Sequence, residues 1–455
     1  MTVGQGPCSL SPTNIGRTQA MALLALDDYP GRYALTNELH ARPFPELKAP
    51  CRALHLAIKP EGDAAGRDRE RDRAHLAALL DRYGAAHLPP GANHYSGPLG
   101  RGFLKWEMHT EFVTYTLFLE GVSRAPFSGE MSTIFPEDWL AETPGRIVTS
   151  TLVRVDTADQ VEAERVLNED FPQWFVLESL AVARVVDGEA VIAGDFRIDE
   201  HGHERFVVLA SPAVGERRLG RIVQRVLEIE TYKAMALLTL PVARHVAVAV
   251  ARLDRELAEV VASMAAETGH EAQALQRLLK LSAEVEHLVA TGAFRFGAAG
   301  AYEALVNQRI QVLREERLSG RQLFSEFMMR RFEPAMRTCR SAEERLADLS
   351  GRAERAANLL RTRVDVANQA QNVEVLHAMN KRAAMQLRLQ ETVEGLSVVA
   401  ISYYALSLAG HLFAPAAEAF HVSEPLLLAV LTLPVVALVW FMVRRIRQKL
   451  GHGAE

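Results

Sequence analysis

Two short stretches concentrate the residue types that do chemistry: Asn37-Glu38-Leu39-His40-Ala41-Arg42-Pro43 and Lys105-Trp106-Glu107-Met108-His109-Thr110-Glu111-Phe112. On an extended strand, residues two apart share a face, so His109 and Glu111 are expected side by side. With Glu38 and His40 they make an imidazole and carboxylate set suited to a divalent metal ion. The same groups suit general acid/base transfer, or a buried hydrogen-bond network that fixes the N-terminal segment against a sheet. No His-Glu-x-x-His spacing selects among the three. Signatures of other chemistry are missing. Gly97-Pro98-Leu99-Gly100-Arg101-Gly102 does not sit between a strand and a helix as a phosphate loop does. There is no Gly-x-Ser-x-Gly elbow. Cys8, Cys51 and Cys339 lie far apart with no Cys-x-x-Cys pair, which fits a reducing compartment rather than a disulfide framework or zinc site. An enzyme is therefore not the expectation.

A second polar pattern lies near the C-terminus. Ser397, Tyr404 and His411 are spaced by seven, and Ala400 and Ser407 fill the same stripe of a helix. One face of an otherwise apolar helix thus carries hydroxyls and an imidazole. Such a stripe lines a pore or hydrogen-bonds a neighbouring helix.

The stripe belongs to one of two stretches without Lys, Arg, Asp or Glu, Gly395 to Pro415 and Pro425 to Val443. Each is long enough to cross about 30 Å of hydrocarbon. Lys381, Arg382 and Arg388 precede the first, and Arg444, Arg445, Arg447 and Lys449 follow the second. The intervening loop has no Lys or Arg but carries Glu418 and Glu424. By the positive-inside rule both ends are cytoplasmic, with an acidic outer mouth at Glu418 and Glu424. No signal peptide is legible in the first twenty residues. The net charge of −5 offers no basic surface for nucleic acid. The expected partners are a lipid bilayer and further copies of the chain.

The elements that must position these groups follow in order. Residues 1–28 are expected to form a flexible lead, and 29–212 an α/β domain. Strands are predicted over Arg52–Lys59, Phe103–His109, Phe112–Leu119, Gly145–Asp156, Leu177–Val186, Ala190–Ile198 and Glu204–Leu209. Asp187-Gly188 and His201-Gly202 are the expected turns among the last three. A helix opens in the charged run Arg67–Arg73, another spans Ala158–Asp170, and the Pro- and Gly-rich segment 89–102 is expected to be a loop. After Pro212 strand signals vanish. Residues 213–394 are expected to form a helical domain and long stalk, broken near Gly269, Gly292 and Pro334. Leu346, Leu349, Ala353, Ala356, Leu360, Ala367, Leu376, Ala383 and Leu387 fall on a coiled-coil seam in that stalk. The stalk continues into a first membrane helix (395–415), an outer loop (416–424), a second membrane helix (425–443) and a basic tail (444–455). The fold class is α+β.

The 37–43 string, Trp106–Phe112, Glu228-Ile229-Glu230-Thr231-Tyr232-Lys233 and Thr392-Val393-Glu394-Gly395-Leu396-Ser397-Val398-Val399-Ala400-Ile401-Ser402-Tyr403-Tyr404 resemble the bacterial domain-of-unknown-function 3422 family over nearly the whole chain. That resemblance implies a membrane-anchored bacterial protein and no established activity. More loosely, the order of parts is similar to CorA-type divalent-cation channels, which implies a homo-oligomer whose first span lines the pore. The pore helix of that family ends in Gly-Met-Asn. Here the position reads Gly410-His411-Leu412, so its selectivity for hydrated ions does not carry over. The sequence thus leads to an inner-membrane cation channel or transporter of CorA-like architecture. The alternative is a non-conducting, membrane-anchored cytoplasmic binding module, and an enzyme at His40 and His109 comes third.

Overall fold

The computed structural model describes residues 28–38, 44–62, 66–123, 125–127, 133–266, 271–419 and 423–451. The chain divides into two compact units, Met1–Arg255 with Ala283–Ser350, and Glu256–Ser282 with Gly351–Glu455.

The first unit is built on a nine-stranded sheet in the order β2-β3-β4-β1-β5-β8-β7-β6-β9. The strands are β1 (Cys51–Lys59), β2 (His94–Leu99), β3 (Gly102–Met108), β4 (Val113–Glu120), β5 (Arg146–Thr157), β6 (Ala181–Val185), β7 (Ala190–Ile198), β8 (Glu204–Ala210) and the two-residue β9 (Glu316–Arg317). All neighbouring pairs are antiparallel except β5 with β8. The mixed pairing and the helical second half make the fold α+β. Strands fall where the sequence predicted them, apart from β2 and the two-residue β9, which lies in the half expected to be helical. β2 occupies the segment expected to be a loop. It is the sheet's edge, where Pro98 can sit without breaking a ladder on both sides. Gly100, at φ +56, supplies the left-handed backbone its two-residue turn into β3 requires.

On one face of the sheet, Leu54, Leu56, Ile58, Trp106, Tyr115, Leu117 and Leu152 meet Leu76, Leu79 and Leu80 of α2 (Arg69–Arg82) and Trp139 of α3 (Glu137–Ala141). Asp68 caps α2, its side chain accepting from the Glu70 amide at 3.0 Å. Further along, Val182, Val191, Ala193, Val207 and Leu209 meet Val166 and Leu167 of α4 (Gln160–Glu169) and Phe171 of α5 (Phe171–Trp174). This apolar face is a conventional core. The opposite face is covered by α6 (Glu216–Leu237), and the segment before β1 runs so close to this helix that a Cβ at Gly220 would stand 1.7 Å from the Pro45 carbonyl oxygen.

The helical half departs from expectation at three points, the first being a break at Leu238 that divides α6 from the next helix. After α1 (Arg32–Glu38) and α6 come α7 (Thr239–Ala266) and α8 (Glu271–Leu313), and α8 runs through Gly292 unbroken. The buried Phe296 ring folds over that glycine, where a Cβ would lie 2.9 Å from it. A mid-helix glycine costs only about 1 kcal/mol, which such packing offsets. The helical segment expected between the breaks at Gly292 and Pro334 is instead the end of α8, then β9 and α9 (Phe324–Arg331). Finally α10 (Glu333–Ala419) is a single helix, followed by α11 (Glu424–Gly451).

In the second unit Leu257, Val260, Leu278, Leu281, Ala353, Ala356 and Leu360 are buried, and the Arg363 guanidinium donates to the Met264 carbonyl. From Asp365 to Val393 every residue of α10 is exposed, a length of about 43 Å at 1.5 Å per residue. The expected seam is therefore buried through Leu360 and open at Ala367, Leu376, Ala383 and Leu387. Near their connection α10 and α11 touch: a Cβ on Gly410 would meet Leu428 at 2.8 Å.

Candidate functional site

Strand alternation decides which side chains α6 covers. Lys105 and Glu107 from β3, Thr114 and Thr116 from β4, His55 from β1, Thr149 and Thr151 from β5 and Glu204 from β8 all occupy the α6 side of the sheet. All but Glu107 are buried. Burying polar groups without partners would cost several kcal/mol apiece. The helix answers with Gln224, Glu228, Glu230, Thr231 and Lys233, and the two sets form three networks, the first two of which line a cavity of about 250 Å³.

The first network centres on His55. Its Nδ1 lies 2.8 Å from Thr116 Oγ1 and its Nε2 2.9 Å from Thr231 Oγ1. Thr231 already donates its hydroxyl hydrogen to the Leu227 carbonyl at 2.8 Å. It can therefore only accept from His55, which places the proton on Nε2 and makes Nδ1 the acceptor for Thr116. Burial, and secondarily the Lys105 charge, push the His55 pKa down to about 3, so the ring is a neutral relay between strand and helix.

The second network runs along the cavity wall. Buried Lys105 donates to Gln224 Oε1 at 3.0 Å and pairs with Glu107 at 3.2 Å. Gln224 donates to Glu228 at 2.7 Å, and Glu228 pairs with Arg309 from α8. Two cations thus alternate with two carboxylates across an amide. The third network places the Lys233 ammonium 2.8 Å from Glu230, 3.5 Å from Glu204 and 5.0 Å from the centre of the Phe196 ring. One ammonium faces two carboxyls. Burial first, and then the Glu230 charge, raise the Glu204 pKa to about 9, so Glu204 carries a proton at neutral pH. Burial opposes the Lys233 charge, but Glu230 and Glu204 outweigh it and hold that pKa above its ordinary value.

The residues singled out by sequence are divided among several places. His109 and Glu111 do not lie on a strand; they form the turn between β3 and β4, closed by the His109 amide donating to the Phe112 carbonyl at 2.8 Å. The His109 ring stacks on Phe112 at 4.3 Å and lines the cavity. Glu111 is engaged elsewhere, accepting two bonds from Arg295 at 3.1 and 2.9 Å and one from the Tyr302 hydroxyl at 2.7 Å. The one-face reading of this pair is thereby corrected, and Glu111 serves the hydrogen-bonded alternative. His40 and the side chain of Glu38 lie outside the described residues. Among the described residues no group of three or more His, Cys, Asp or Glu is placed to hold a metal ion.

Ser397, Tyr404, Ser407 and His411 do share a stripe of α10, with Tyr404, Ser407 and His411 exposed. The partly or fully buried positions Ser402, Leu406, Ala409 and Gly410 lie on roughly the opposite side, about 160° away at 100° per residue. Glu418 closes α10 and Glu424 opens α11; their side chains lie outside the described residues.

Sequence reasoning passed over His55 and Glu204, and gave no role to Lys105, Glu228, Glu230 and Lys233. A signal was present: Gln224, Glu228 and Thr231 recur at i, i+4 and i+7 on one helix face, opposite a strand whose single histidine breaks an apolar run. The family model described as "Protein of unknown function (DUF3422)" matches residues 27–450. No curated protein matches the chain.

Proposed function

The chain belongs to the DUF3422 family, and from that premise we propose a homo-oligomeric membrane protein in which copies of α10 meet around a cation path lined by Ser397, Tyr404, Ser407 and His411. The carrying observation is that this stripe faces away from the side of α10 that meets α11. Within the helix Ser397 donates to the Val393 carbonyl at 2.8 Å and His411 Nδ1 to the Ser407 carbonyl at 2.7 Å. The Tyr404 hydroxyl and the second imidazole nitrogen, however, would go without partners in lipid and would find them against other copies or a water-filled path.

Three helical stretches, Glu216–Met264, Phe324–Pro415 and Pro425–Ile446, are long and apolar enough to cross a membrane by length and composition. In the first, a third of the apolar window (33%) is buried inside the protein, against 6% in each of the others, so only the last two need an apolar solvent. The Arg444 guanidinium sits 5.0 Å from the centre of the Trp440 ring, a pairing suited to a membrane interface. The positive-inside rule then puts both ends in the cytoplasm of a bacterial inner-membrane protein. A sheet unit, a helical section, one long helix and a short hairpin partner follow the CorA-type order.

The test is ion flux into proteoliposomes across a cation panel, beside a cross-linking assay on Ser407→Cys. Disulfide-linked oligomers and a flux blocked by Ser407→Leu but spared by Val399→Leu are expected. A verified oligomer that passes no cation would refute conduction. The second reading, an anchored binding module, rests on the polar cavity under α6, and heat of binding to the non-conducting protein would then identify its ligand.

A further inference from the structure

A second concave surface of the first unit, separate from the chamber under α6, gathers positive charge. Arg218, Arg221 and Arg225 recur at i, i+3 and i+7 on α6, and Arg314 joins them just after α8. Together with Val186, Ile222, Gln311 and Val312 they line a cavity of about 430 Å³. Two of the four guanidiniums are neutralised. Arg218 pairs with Glu189 at 2.6 Å, and Arg314 holds Asp187 through two bonds of 2.9 and 2.5 Å. Arg221 and Arg225 pair with no carboxylate among the described residues. Arg225 donates only to the Val312 carbonyl at 3.3 Å. Four positive charges less two negative ones leave two unbalanced in one cavity.

The backbone around it is held in unusual conformations. Val186, Asp187 and Arg314 all have positive φ, at 54°, 58° and 49°. For β-branched Val186 this is a true outlier, and strain of this kind persists where surrounding structure imposes it. The Val186 amide donates to the Leu313 carbonyl at 2.7 Å, which ties the β6–β7 turn to the end of α8 and fixes both walls.

We propose that this cavity binds the phosphate group of a phosphorylated small molecule. A phosphate monoester carries a charge of about −1.5 to −2 at neutral pH, which matches the unbalanced pair. Guanidinium forks match phosphate oxygens in two-point contacts. The cavity falls within the ~300–1,000 Å³ typical of ligand pockets, and Val186, Ile222 and Val312 offer an apolar wall to an organic body. Burial, and then the charges of Arg221 and Arg309, weaken Arg225's hold on its proton, so an anion beside it would be stabilising.

The probe is inorganic pyrophosphate, titrated calorimetrically into the full chain in nanodiscs of zwitterionic lipid. Binding that weakens with salt is expected, with at least a tenfold loss in Arg221→Gln and in Arg225→Gln. Asp187→Asn supplies a variant that failure to fold cannot mimic. Asparagine tolerates the positive φ, and losing the carboxylate frees Arg314, so affinity should rise severalfold. Nanodiscs containing phosphatidate separate the sources of phosphate. If their lipid competes with pyrophosphate the ligand is a headgroup, which overturns the small-molecule assignment. No pyrophosphate binding, binding indifferent to Arg221 and Arg225, or no gain in Asp187→Asn would each overturn the site.

Discussion

Replacing His55 by glutamine should change how stability depends on pH more than it changes stability at neutral pH. In the fold His55 titrates at about 3, against 6.5 when free. A group whose folded pKa is depressed in this way stays neutral in the native state while the unfolded chain takes up a proton. Its contribution is therefore complete above pH 6.5 and is lost as pH falls toward 3. The loss is RT ln(1 + 10^(6.5 − pH)), about 2 kcal/mol at pH 5 and under about 0.1 kcal/mol at pH 7.5. Glutamine keeps a donor and an acceptor for Thr231 and Thr116 but does not titrate.

The assay is thermal unfolding of the full chain in detergent, followed by the fluorescence of the fully buried Trp106 and Trp139 in the same sheet unit. The variant should be about 1 kcal/mol or more less stable at pH 7.5, since its hydrogen bonds are less well aligned. Between pH 7.5 and 5.0, however, its midpoint should fall less than the wild type's, by about 2–4 °C for a unit of this size. Burial also lowers the pKa values of His75 and His203, but both titrate identically in the two proteins and cancel in the comparison. Parallel pH curves would refute the account of a buried neutral relay.

Glu204 works in the opposite direction. Its folded pKa, near 9, lies above the ordinary carboxylic value, so stability falls as pH rises toward 9, and Glu204→Gln should flatten that alkaline loss in melts from pH 6 to 9. Arg295→Met would leave Glu111 charged and buried without its partner, at a cost of about 3–5 kcal/mol, read as a lower denaturation midpoint. Gly220→Ala forces a methyl group against the Pro45 carbonyl and should cost about 1–3 kcal/mol by the same measure. Leu360→Glu should destabilise the unit itself, because Leu360 is fully buried, whereas Leu387→Glu, at a position 62% exposed, should alter only the oligomer's mass in light scattering. A Leu387 variant of unchanged mass would remove the stalk from the assembly interface.

Much of the scaffold was legible because one-sided patterns declare themselves. β1 and β4 alternate as strands do, β8 is a short β-branched apolar run, and positive-φ residues stand where Asp187-Gly188 and His201-Gly202 mark turns. β2 was hidden because proline and glycine usually punctuate loops; only its place at the sheet edge, a property of the whole fold, makes Pro98 compatible with pairing. The same limit applied to α8, whose glycine reads as a break until Phe296 is known to cover it.

The chamber under α6 was hidden for a deeper reason. Thr114 and Thr116 alternate with Val113, Tyr115 and Leu117, which is also the pattern of a sheet with one face in water. Sequence cannot tell a wet face from one roofed by a helix some seventy to a hundred residues later. What distinguishes them is complementarity: a roofed polar face needs a partner for each donor and acceptor, supplied at helical spacing. Gln224, Glu228 and Thr231 meet that condition for Lys105, Arg309 and His55, and Glu230 and Lys233 meet it beside Glu204. A polar core of this kind costs more to assemble than an apolar one of the same volume. Three polar networks on one sheet face, two of them lining a cavity, therefore point to selection for what the cavity holds or transmits rather than for stability alone.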